Sequence, residues 1–270
     1  MATNDDPGAT DPAHEDHHAL IVEQFSRQAE GFAKLPALHG EDALSLLVEA
    51  AEPGPDDATL DVACGPGTVV MAFARVVRRS VGLDATPAML DQARRLAARD
   101  GIRNVAWQAG DAYALPYAEA SFDVVSCRFA FHHLHEPARA LAEMVRVCRP
   151  KGRVVLCDGL ASDEPAKAAA LNRMERHRDP STVEFRPLAY HLSLFAEVGL
   201  SRPRARHFQV PSERELLISV SFPAGGDRAG LGRMIDESVD GDTLGLNARR
   251  DGKTVRLAYP AVILAARKPA

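Results

Sequence analysis

The stretch Leu60-Asp-Val-Ala-Cys-Gly-Pro-Gly-Thr68 decides the fold of this chain. It completes a short apolar run that starts at Ala58, which is typical of a buried strand. Two glycines, Gly65 and Gly67, follow the run, and a helical pattern begins at Thr68. A strand that turns through glycines into a helix brings bare backbone and a helix N-terminus close to a ligand. The stretch therefore predicts a strand, a ligand-binding loop and a helix in succession.

The next predicted strand ends in a carboxylate, Asp84, seventeen residues after Gly67. A carboxylate at this place is positioned to accept hydrogen bonds from two ribose hydroxyls, which indicates a nucleoside-type cofactor. A nicotinamide-dependent dehydrogenase is one candidate, since its G-x-G-x-x-G loop cradles a pyrophosphate. Val70 occupies the position of the third glycine, however, and Pro66 lies between the first two. These two residues disfavour the dehydrogenase without excluding it.

Strand-like and helical patterns then alternate along the chain in the manner of repeated βα units. Near-continuous apolar strands with helices between them imply a parallel sheet that is covered on both faces. Strands are predicted at 58–63, 80–83, 104–108, 122–127 and 153–158, and helices at 68–78, 87–100 and 136–147.

The segments outside this α/β core complete the predicted domain organisation. Residues 1–17 are polar and acidic, so they are expected to form a disordered arm. Residues 18–270 are expected to form one domain, which opens with helices over 18–51. Two less regular segments, 161–199 and 210–248, are predicted to be largely helical inserts.

Four further segments, together with the glycine loop, resemble the motifs of class I S-adenosylmethionine-dependent methyltransferases. The loop is similar to the family motif D-x-G-x-G-x-G from Asp61 to Gly67, with Ala63 in place of the first glycine. Within this family, the chain most resembles the branch that includes quinone-biosynthesis enzymes and many small-molecule methyltransferases. The other segments are Val81–Leu90, Gly110–Val125, Arg128–Leu134 and Arg149–Leu156.

The resemblance implies a doubly wound, Rossmann-like α/β sheet of seven strands in the order 3-2-1-4-5-7-6, with the seventh strand antiparallel. It implies S-adenosylmethionine as the cofactor. It also implies that the helices within 18–51 form a lid over the cofactor and that the two later inserts form a cap over the substrate. The expected cofactor-binding residues are Phe25, Phe32, Asp61, Ala63, Gly65, Gly67, Asp84, Ala85, Met89, Gly110, Asp111, Ala112 and Arg128.

The expected roles follow from the shape of the cofactor. Asp84 would hold the ribose, Asp111 would accept from the adenine amino group, and Met89 would pack on the adenine ring. Asp61, together with carbonyls near Arg128, would receive the ammonium group. The carboxylates also have ordinary structural alternatives: a helix cap at Asp84, a turn cap at Asp111 and a stabiliser of the loop at Asp61.

Three histidines, His132, His133 and His135, follow the fourth predicted strand. Their spacing lacks the helical i, i+4 geometry and the carboxylate partner of common zinc sites, so no metal is expected. A histidine at the mouth of the pocket is suited to orient the methyl acceptor or to take its proton. His133 is the first candidate for this catalytic role and His132 the second, and the alternative is a polar wall of the pocket.

The charge distribution limits the kinds of binding partner that are expected. The net charge of −5 is carried by the N-terminal arm, so the rest of the chain is near neutral and shows no nucleic-acid footprint or membrane patch. No apolar run reaches the ~18 residues of a membrane span, and four cysteines without C-x-x-C spacing indicate reduced thiols and a cytoplasmic protein.

The predicted activity is transfer of a methyl group to a small, partly apolar acceptor by direct in-line displacement. The oligomeric state is left open. The alternatives are a non-catalytic cofactor-binding or scaffold protein and the dehydrogenase. Aromatic and sulfur side chains of the two inserts are candidate walls for the acceptor, namely Met174, Phe185, Tyr190, Phe195 and Phe222.

Overall fold

The computed structural model describes residues 12–32 and 41–270, and it contains one mixed sheet. The strands are β1 Ala58–Val62, β2 Arg79–Asp84, β3 Val105–Ala109, β4 Phe122–Arg128, β5 Cys148–Gly159, β6 Arg204–Glu213, β7 Arg249–Asp251 and β8 Thr254–Arg267. Their order is β3-β2-β1-β4-β5-β8-β6, and β7 pairs with β8. Strand β8 runs antiparallel to both β5 and β6. It therefore takes the place of the predicted seventh strand, and the predicted fold is confirmed.

Two helical layers cover this sheet because consecutive strand residues point to opposite faces. Val124 and Val155 pack with the helices that flank β1 in sequence, whereas Val125 and Val154 pack with the helix after β4. The helices are α1 Pro12–Phe32, α2 Glu41–Ala51, α3 Thr68–Ala74, α4 Pro87–Arg99, α5 Pro137–Val147, α6 Pro165–Arg178, α7 Leu188–Glu197, α8 Arg214–Val220 and α9 Arg228–Glu237. No helix within the described ranges is long and apolar enough to span a membrane.

The two predicted inserts fold against each other beside β8. Helices α6, α8 and α9 share an apolar cluster of their own, to which Leu171, Leu217 and Leu231 belong. Met174 lies in this cluster and Phe195 in the main core, and both are fully buried. Neither side chain lines the cleft beside the ends of β1, β2 and β4.

Helix α1 begins at Pro12, six residues before the predicted start at His18. The prediction that the disordered arm extends to residue 17 is therefore wrong for 12–17, while residues 1–11 lie outside the described part of the chain. Tertiary contact explains the extension, because the His17 Nε2 donates a hydrogen bond to the His133 carbonyl oxygen at 2.8 Å. A contact with a residue 116 positions away is invisible to local sequence patterns.

Candidate active site

A cleft lies at the carboxyl edge of the parallel strands, beside the ends of β1, β2 and β4 and beneath α1. Strands β1 and β4 are neighbours, but the chain leaves them toward opposite sides of the sheet. Ligands of open α/β sheets bind at such a switch point, because the loops on either side diverge there. The topology therefore makes this cleft the candidate ligand site.

Asp84 ends β2 and anchors the glycine loop. Its Oδ2 accepts a hydrogen bond from the Gly65 N–H and its Oδ1 from the Thr86 N–H, both at 2.8 Å. Burial raises the pKa of this carboxyl, against the lowering effect of the two bonds. A carboxylate oxygen has more than one acceptor site, so Asp84 can hold the loop and still receive ribose hydroxyls.

Gly65 and Gly67 differ in what a side chain would meet. Both have positive φ, at 52° and 80°. A Cβ on Gly65 would meet nothing within 4 Å, and Gly65 lines the cleft. A Cβ on Gly67 would lie 2.3 Å from Cη2 of Trp107, and Gly67 does not line the cleft. Gly65 therefore keeps space open at the cleft wall, whereas the space beside Gly67 is filled by Trp107.

Ala63 occupies the position of the family's first glycine and has a φ of 55°. This left-handed conformation costs a residue with a Cβ ~1–2 kcal/mol. Ala63→Gly should therefore raise the free energy of unfolding by up to about 1 kcal/mol, after the added flexibility of the unfolded chain is subtracted. Urea unfolding measures the change. Ala169→Gly, within α6, should instead lose about 1 kcal/mol, and equal losses at both positions would refute strain at Ala63.

Asp61 is a buried carboxylate at the base of the cleft. Its Oδ1 accepts a hydrogen bond from the Ser126 hydroxyl at 2.6 Å. Burial raises the pKa of Asp61 to about 7, although the bond from Ser126 and the charge of Arg128 both act to lower it. A carboxylate whose burial is only partly compensated gains most from a cationic ligand, because a positive charge offsets the loss of hydration.

The other end of the cleft is formed by residues after β3. Asp111 lines it, and its Oδ1 accepts from the Tyr113 N–H at 2.9 Å. The turn cap considered for this residue is therefore present, alongside its place in the cleft. Met89, which is 1% exposed on α4, supplies an apolar wall. Met89 and Asp111 thus contribute an apolar surface and a hydrogen-bond acceptor to the lining of the same cleft.

His133 has one ring nitrogen tied to the protein. Its Nδ1 lies 3.0 Å from the Ser181 carbonyl oxygen and 3.2 Å from the Ser181 hydroxyl. The hydroxyl donates to Asp179 at 2.6 Å, so the Nδ1 carries the proton and donates to the carbonyl. Burial and the neighbouring His132 together lower the pKa of His133 to about 3. The imidazole is therefore neutral, with Nε2 as a hydrogen-bond acceptor.

His132 forms a buried pair with a residue that the sequence analysis did not single out. Its Nδ1 lies 2.7 Å from Oδ1 of Asp158, and its backbone N–H donates to Oδ2 at 3.0 Å. Burial raises the pKa of Asp158, but the charge and hydrogen bond of His132 outweigh burial and keep it below its ordinary value. The His132 ring stacks on Phe185 at 4.3 Å between centroids. His132 lies behind His133 and does not line the cleft.

The structure brings most of the predicted site residues together. Those that line the cleft are Phe25, Asp61, Ala63, Gly65, Asp84, Ala85, Met89, Gly110, Asp111, Ala112, Arg128 and His133. Gly67 and His132 lie outside it, and the side chain of Phe32 is outside the described part of the chain.

Sequence reasoning identified Phe25 on α1 but missed Asp158 and, among the α1 residues that face the cleft, His17 and Ile21. Asp158 ends an apolar strand, as Asp84 does, and that position was a usable signal for a functional carboxylate. On α1, His17, Ile21 and Phe25 recur at intervals of four and all line the cleft. Helical periodicity starting at His17 would have identified this face.

Known proteins share this architecture. A model of the methyltransferase domain matches residues 60–156. The uncharacterized methyltransferase YcgJ of Bacillus subtilis is 28% identical over 89% of this chain and 96% of its own length. Its crystal structure has a TM-score of 0.77, at 26% identity over 85% of this chain and 99% of that one. A demethylmenaquinone methyltransferase of Thermobifida fusca is 31% identical over 70% of both chains. The chain belongs to the S-adenosylmethionine-dependent methyltransferases.

Two further comparisons limit what can be inferred from this family membership. Other curated relatives match over only 36% to 65% of their own length. The geranyl diphosphate C-methyltransferase of Streptomyces coelicolor, solved with S-adenosyl-L-homocysteine, has a TM-score of 0.62 at 17% identity, over 98% of this chain and 86% of that one. That level of identity shows a shared fold and no more.

The cleft of this methyltransferase fits the family's cofactor on three observations. The position of a Gly65 side chain is open space at the cleft wall. Asp61 is buried with a pKa raised to about 7, which suits a ligand with positive charge. Met89 adds an apolar surface and Asp111 a hydrogen-bond acceptor to the cleft lining, which suits an adenine ring. The space, charge and polarity of the cleft lining therefore all agree with this cofactor.

Proposed function

We propose that this methyltransferase transfers a methyl group from S-adenosylmethionine to a small, partly apolar organic acceptor by direct in-line displacement. The observation that carries the proposal is the single cleft in which Asp61, Gly65 and Asp84 meet beneath α1. The cofactor supplies a methyl group on a sulfonium, which is a good leaving group. The protein mainly has to hold the reacting atoms in line, which contributes up to ~7–11 kcal/mol of acceleration.

The residues divide the task of holding the cofactor. Asp84 would bind the ribose hydroxyls and Asp61 the ammonium group, while Gly65 lets the backbone approach. Met89 and Ala85 would pack on the adenine ring. Asp111 would accept a hydrogen bond from the adenine amino group. Each role is supported by the position of the residue in the cleft.

His133 is proposed to orient the acceptor. Its Nδ1–H is fixed by the Ser181 carbonyl, so the Nε2 lone pair is left to receive a hydrogen bond. Because burial lowers its pKa to about 3, His133 is a weak base at neutral pH. Its substitution should therefore alter KM and kcat without removing an ionisation between pH 5 and 8 from the rate profile.

His132 is proposed to support His133 from behind. The Asp158 carboxylate fixes the His132 ring, which in turn packs against His133 at 4.3 Å between centroids. His132 thus acts as a positioning residue and does not touch the acceptor.

Calorimetry with S-adenosylmethionine and, separately, with NAD tests the cofactor. Binding of S-adenosylmethionine alone supports the proposal, while binding of NAD alone supports the dehydrogenase. Transfer of a labelled methyl group to a panel of small acceptors then separates an enzyme from a scaffold protein. Cofactor binding without transfer to any acceptor of the panel would favour the scaffold.

Cofactor affinity should depend on pH through Asp61. The free carboxyl is half protonated near pH 7, so affinity for the cationic cofactor should fall as the pH drops below 7 and level off above it. The same carboxyl destabilises the free protein, because its unfolded form ionises near 3.8 and its folded form only near 7. Stability should therefore fall as the pH rises through this interval.

Asp61→Asn separates these two effects. Asparagine keeps an oxygen for the Ser126 hydroxyl and has no charge to bury. At pH 8 the variant should melt higher than the wild type, and it should bind S-adenosylmethionine about tenfold more weakly or worse, with little change in affinity from pH 6 to 8. Calorimetry and thermal melts measure both effects. Unchanged affinity would refute the role given to Asp61.

A further inference from the structure

A second cavity, of about 210 Å³, lies at the edge of the sheet opposite the cleft. It is lined by residues near the start of β5 and β6, the end of β8 and the end of α2. Arg153 of this lining precedes Asp158 by five residues on β5, which is ~17 Å at ~3.3 Å per residue. The cavity shares no lining residue with the cleft, so it is a separate feature of the molecule.

Strand register gathers arginines on one face of the sheet beside this cavity. Arg153 of β5 pairs with Arg267 of β8, and Ala265, two residues earlier on β8, pairs with Arg204 of β6. Side chains of paired residues point to the same face, and so do side chains two positions apart on a strand. The three arginines therefore project from one face, which is the face that α2 packs against.

The three guanidinium groups converge on Glu52, the residue after α2. The Glu52 Oε1 accepts from Nη2 of Arg204 at 2.7 Å, and its Oε2 accepts from Nη2 of Arg267 at 2.9 Å and of Arg153 at 3.4 Å. The hydrogen bond with Arg204 has the largest effect in lowering the pKa of Glu52, so this carboxylate is ionised.

One carboxylate uses few of the hydrogen-bond donors that meet here. Each guanidinium has five N–H donors, and Nη1 of Arg153, Arg204 and Arg267 makes no hydrogen bond within the described residues. The Nε of Arg153 is buried and has no partner among them either. The cavity is therefore rich in donors that lack an acceptor.

The charge of the lining is also unbalanced. Arg202 adds a fourth guanidinium, and it has no hydrogen bond or ion pair within the described residues. Glu52 is the only acid among the described residues that line the cavity, which leaves a surplus of three positive charges. Like charges held close together repel one another, and a bound anion relieves that repulsion.

Arg206 shows the ordinary alternative on the same strand. It lies two residues after Arg204 on the same face of β6, and it pairs one to one with Glu49 of α2 at 2.9 Å. Basic side chains near a helix C-terminus stabilise the helix dipole, and a balanced pair of this kind is sufficient for that purpose. The excess of arginines around Glu52 goes beyond it.

We propose that this cavity binds a compact polyanion of the pyrophosphate type, either free or as the phosphate tail of a nucleotide. Guanidinium groups bind phosphate oxygens through paired N–H donors, and linked phosphates carry several negative charges within a volume that this cavity can hold. The inference goes beyond the proposed function, because the site lies apart from the cleft and requires no cofactor there.

Calorimetry on the full chain without cofactor tests the site, using pyrophosphate, ADP and inorganic phosphate as probes at fixed ionic strength. The wild type should bind pyrophosphate at least tenfold more tightly than inorganic phosphate, and its affinity should fall several-fold as NaCl is raised from about 50 to 300 mM. Binding of ADP at least as tight as that of pyrophosphate assigns the site to a nucleotide tail, and weaker binding of ADP assigns it to the free anion.

Two variants with the same change of charge locate the binding. Arg202→Gln breaks no contact within the described residues, so it should melt within about 1 °C of the wild type and bind pyrophosphate about tenfold more weakly. Arg206→Gln is the matched control, since it removes a neighbouring arginine outside the cavity and should change the affinity less than about twofold. Equal losses in the two variants would overturn the site.

Glu52→Gln distinguishes a ligand site from a structural ion-pair network. Removing the resident negative charge should strengthen pyrophosphate binding about threefold or more, while the free protein melts lower because three arginines lose their partner. An unchanged or weaker affinity would mean that the arginines serve Glu52 alone. Failure of the wild type to bind pyrophosphate, or binding of a tetraglutamate peptide in its place, would also overturn the proposal, whereas failure of the proposed function would appear only as lost S-adenosylmethionine binding.

Discussion

Replacing Gly65 with valine should abolish S-adenosylmethionine binding and leave the protein folded. The side chain would meet no protein atom within 4 Å, so it would occupy the wall of the cleft where the ligand has to lie. We expect affinity to fall by more than about a hundredfold, because a packed interface does not absorb three extra carbon atoms. The φ of 52° at Gly65 adds a folding cost of ~1–2 kcal/mol for a residue with a Cβ.

Valine variants of two other glycines separate the loss of ligand space from the cost of backbone strain. Gly101→Val carries the same backbone strain, since Gly101 has a φ of 68° and open space around it, but it lies away from the cleft and should bind normally. Gly67→Val should mainly lose stability, because its Cβ would overlap Trp107. Calorimetry on protein shown to be folded by circular dichroism distinguishes the three. Binding by Gly65→Val at the strength of Gly101→Val would refute the assignment of the glycine loop.

The glycine loop also shows how far the sequence could predict the site. The strand, the turn, the helix and Asp84 follow from local patterns, because each depends on residues close together in the chain. Which glycine faces the ligand does not follow. That depends on Trp107, forty residues after Gly67, whose ring fills the space beside Gly67 and leaves the space beside Gly65 open. Spacing identifies a loop, but its packing partners decide which of its atoms reach the ligand.

The contacts around His132, His133 and the loop after α6 were less predictable for the same reason. The Gln28–Asp179 and His132–Asp158 bonds join residues 151 and 26 positions apart. His132 and His133 are adjacent in sequence, yet one ring points to Asp158 and the other to Ser181. No periodicity distinguishes their roles, because a short 3₁₀ turn over Phe131–His133 sends consecutive side chains to different neighbours.

Asp158→Ala should destabilise the protein by about 3–5 kcal/mol, because it leaves three buried donors unpaired at ~1–3 kcal/mol each. Asp158 is 1% exposed and accepts three hydrogen bonds, from the His132 Nδ1, the His132 N–H and the Gly159 N–H. Alanine would leave all three donors buried without their acceptor. Because the pKa of Asp158 lies below its ordinary value, its contribution is present above about pH 4 and should be lost as the pH falls through its folded pKa.

Urea unfolding at pH 7 measures this loss, and Asp163→Ala is the matched control. Asp163 is exposed five residues later, so its removal should change stability by no more than about 0.5 kcal/mol. The double variant His132→Ala with Asp158→Ala should be less destabilised than the sum of the two single variants, since each single change leaves a buried partner uncompensated. Additive losses would mean that the two side chains are not coupled, and His132 would then lose its role in holding His133 at the cleft.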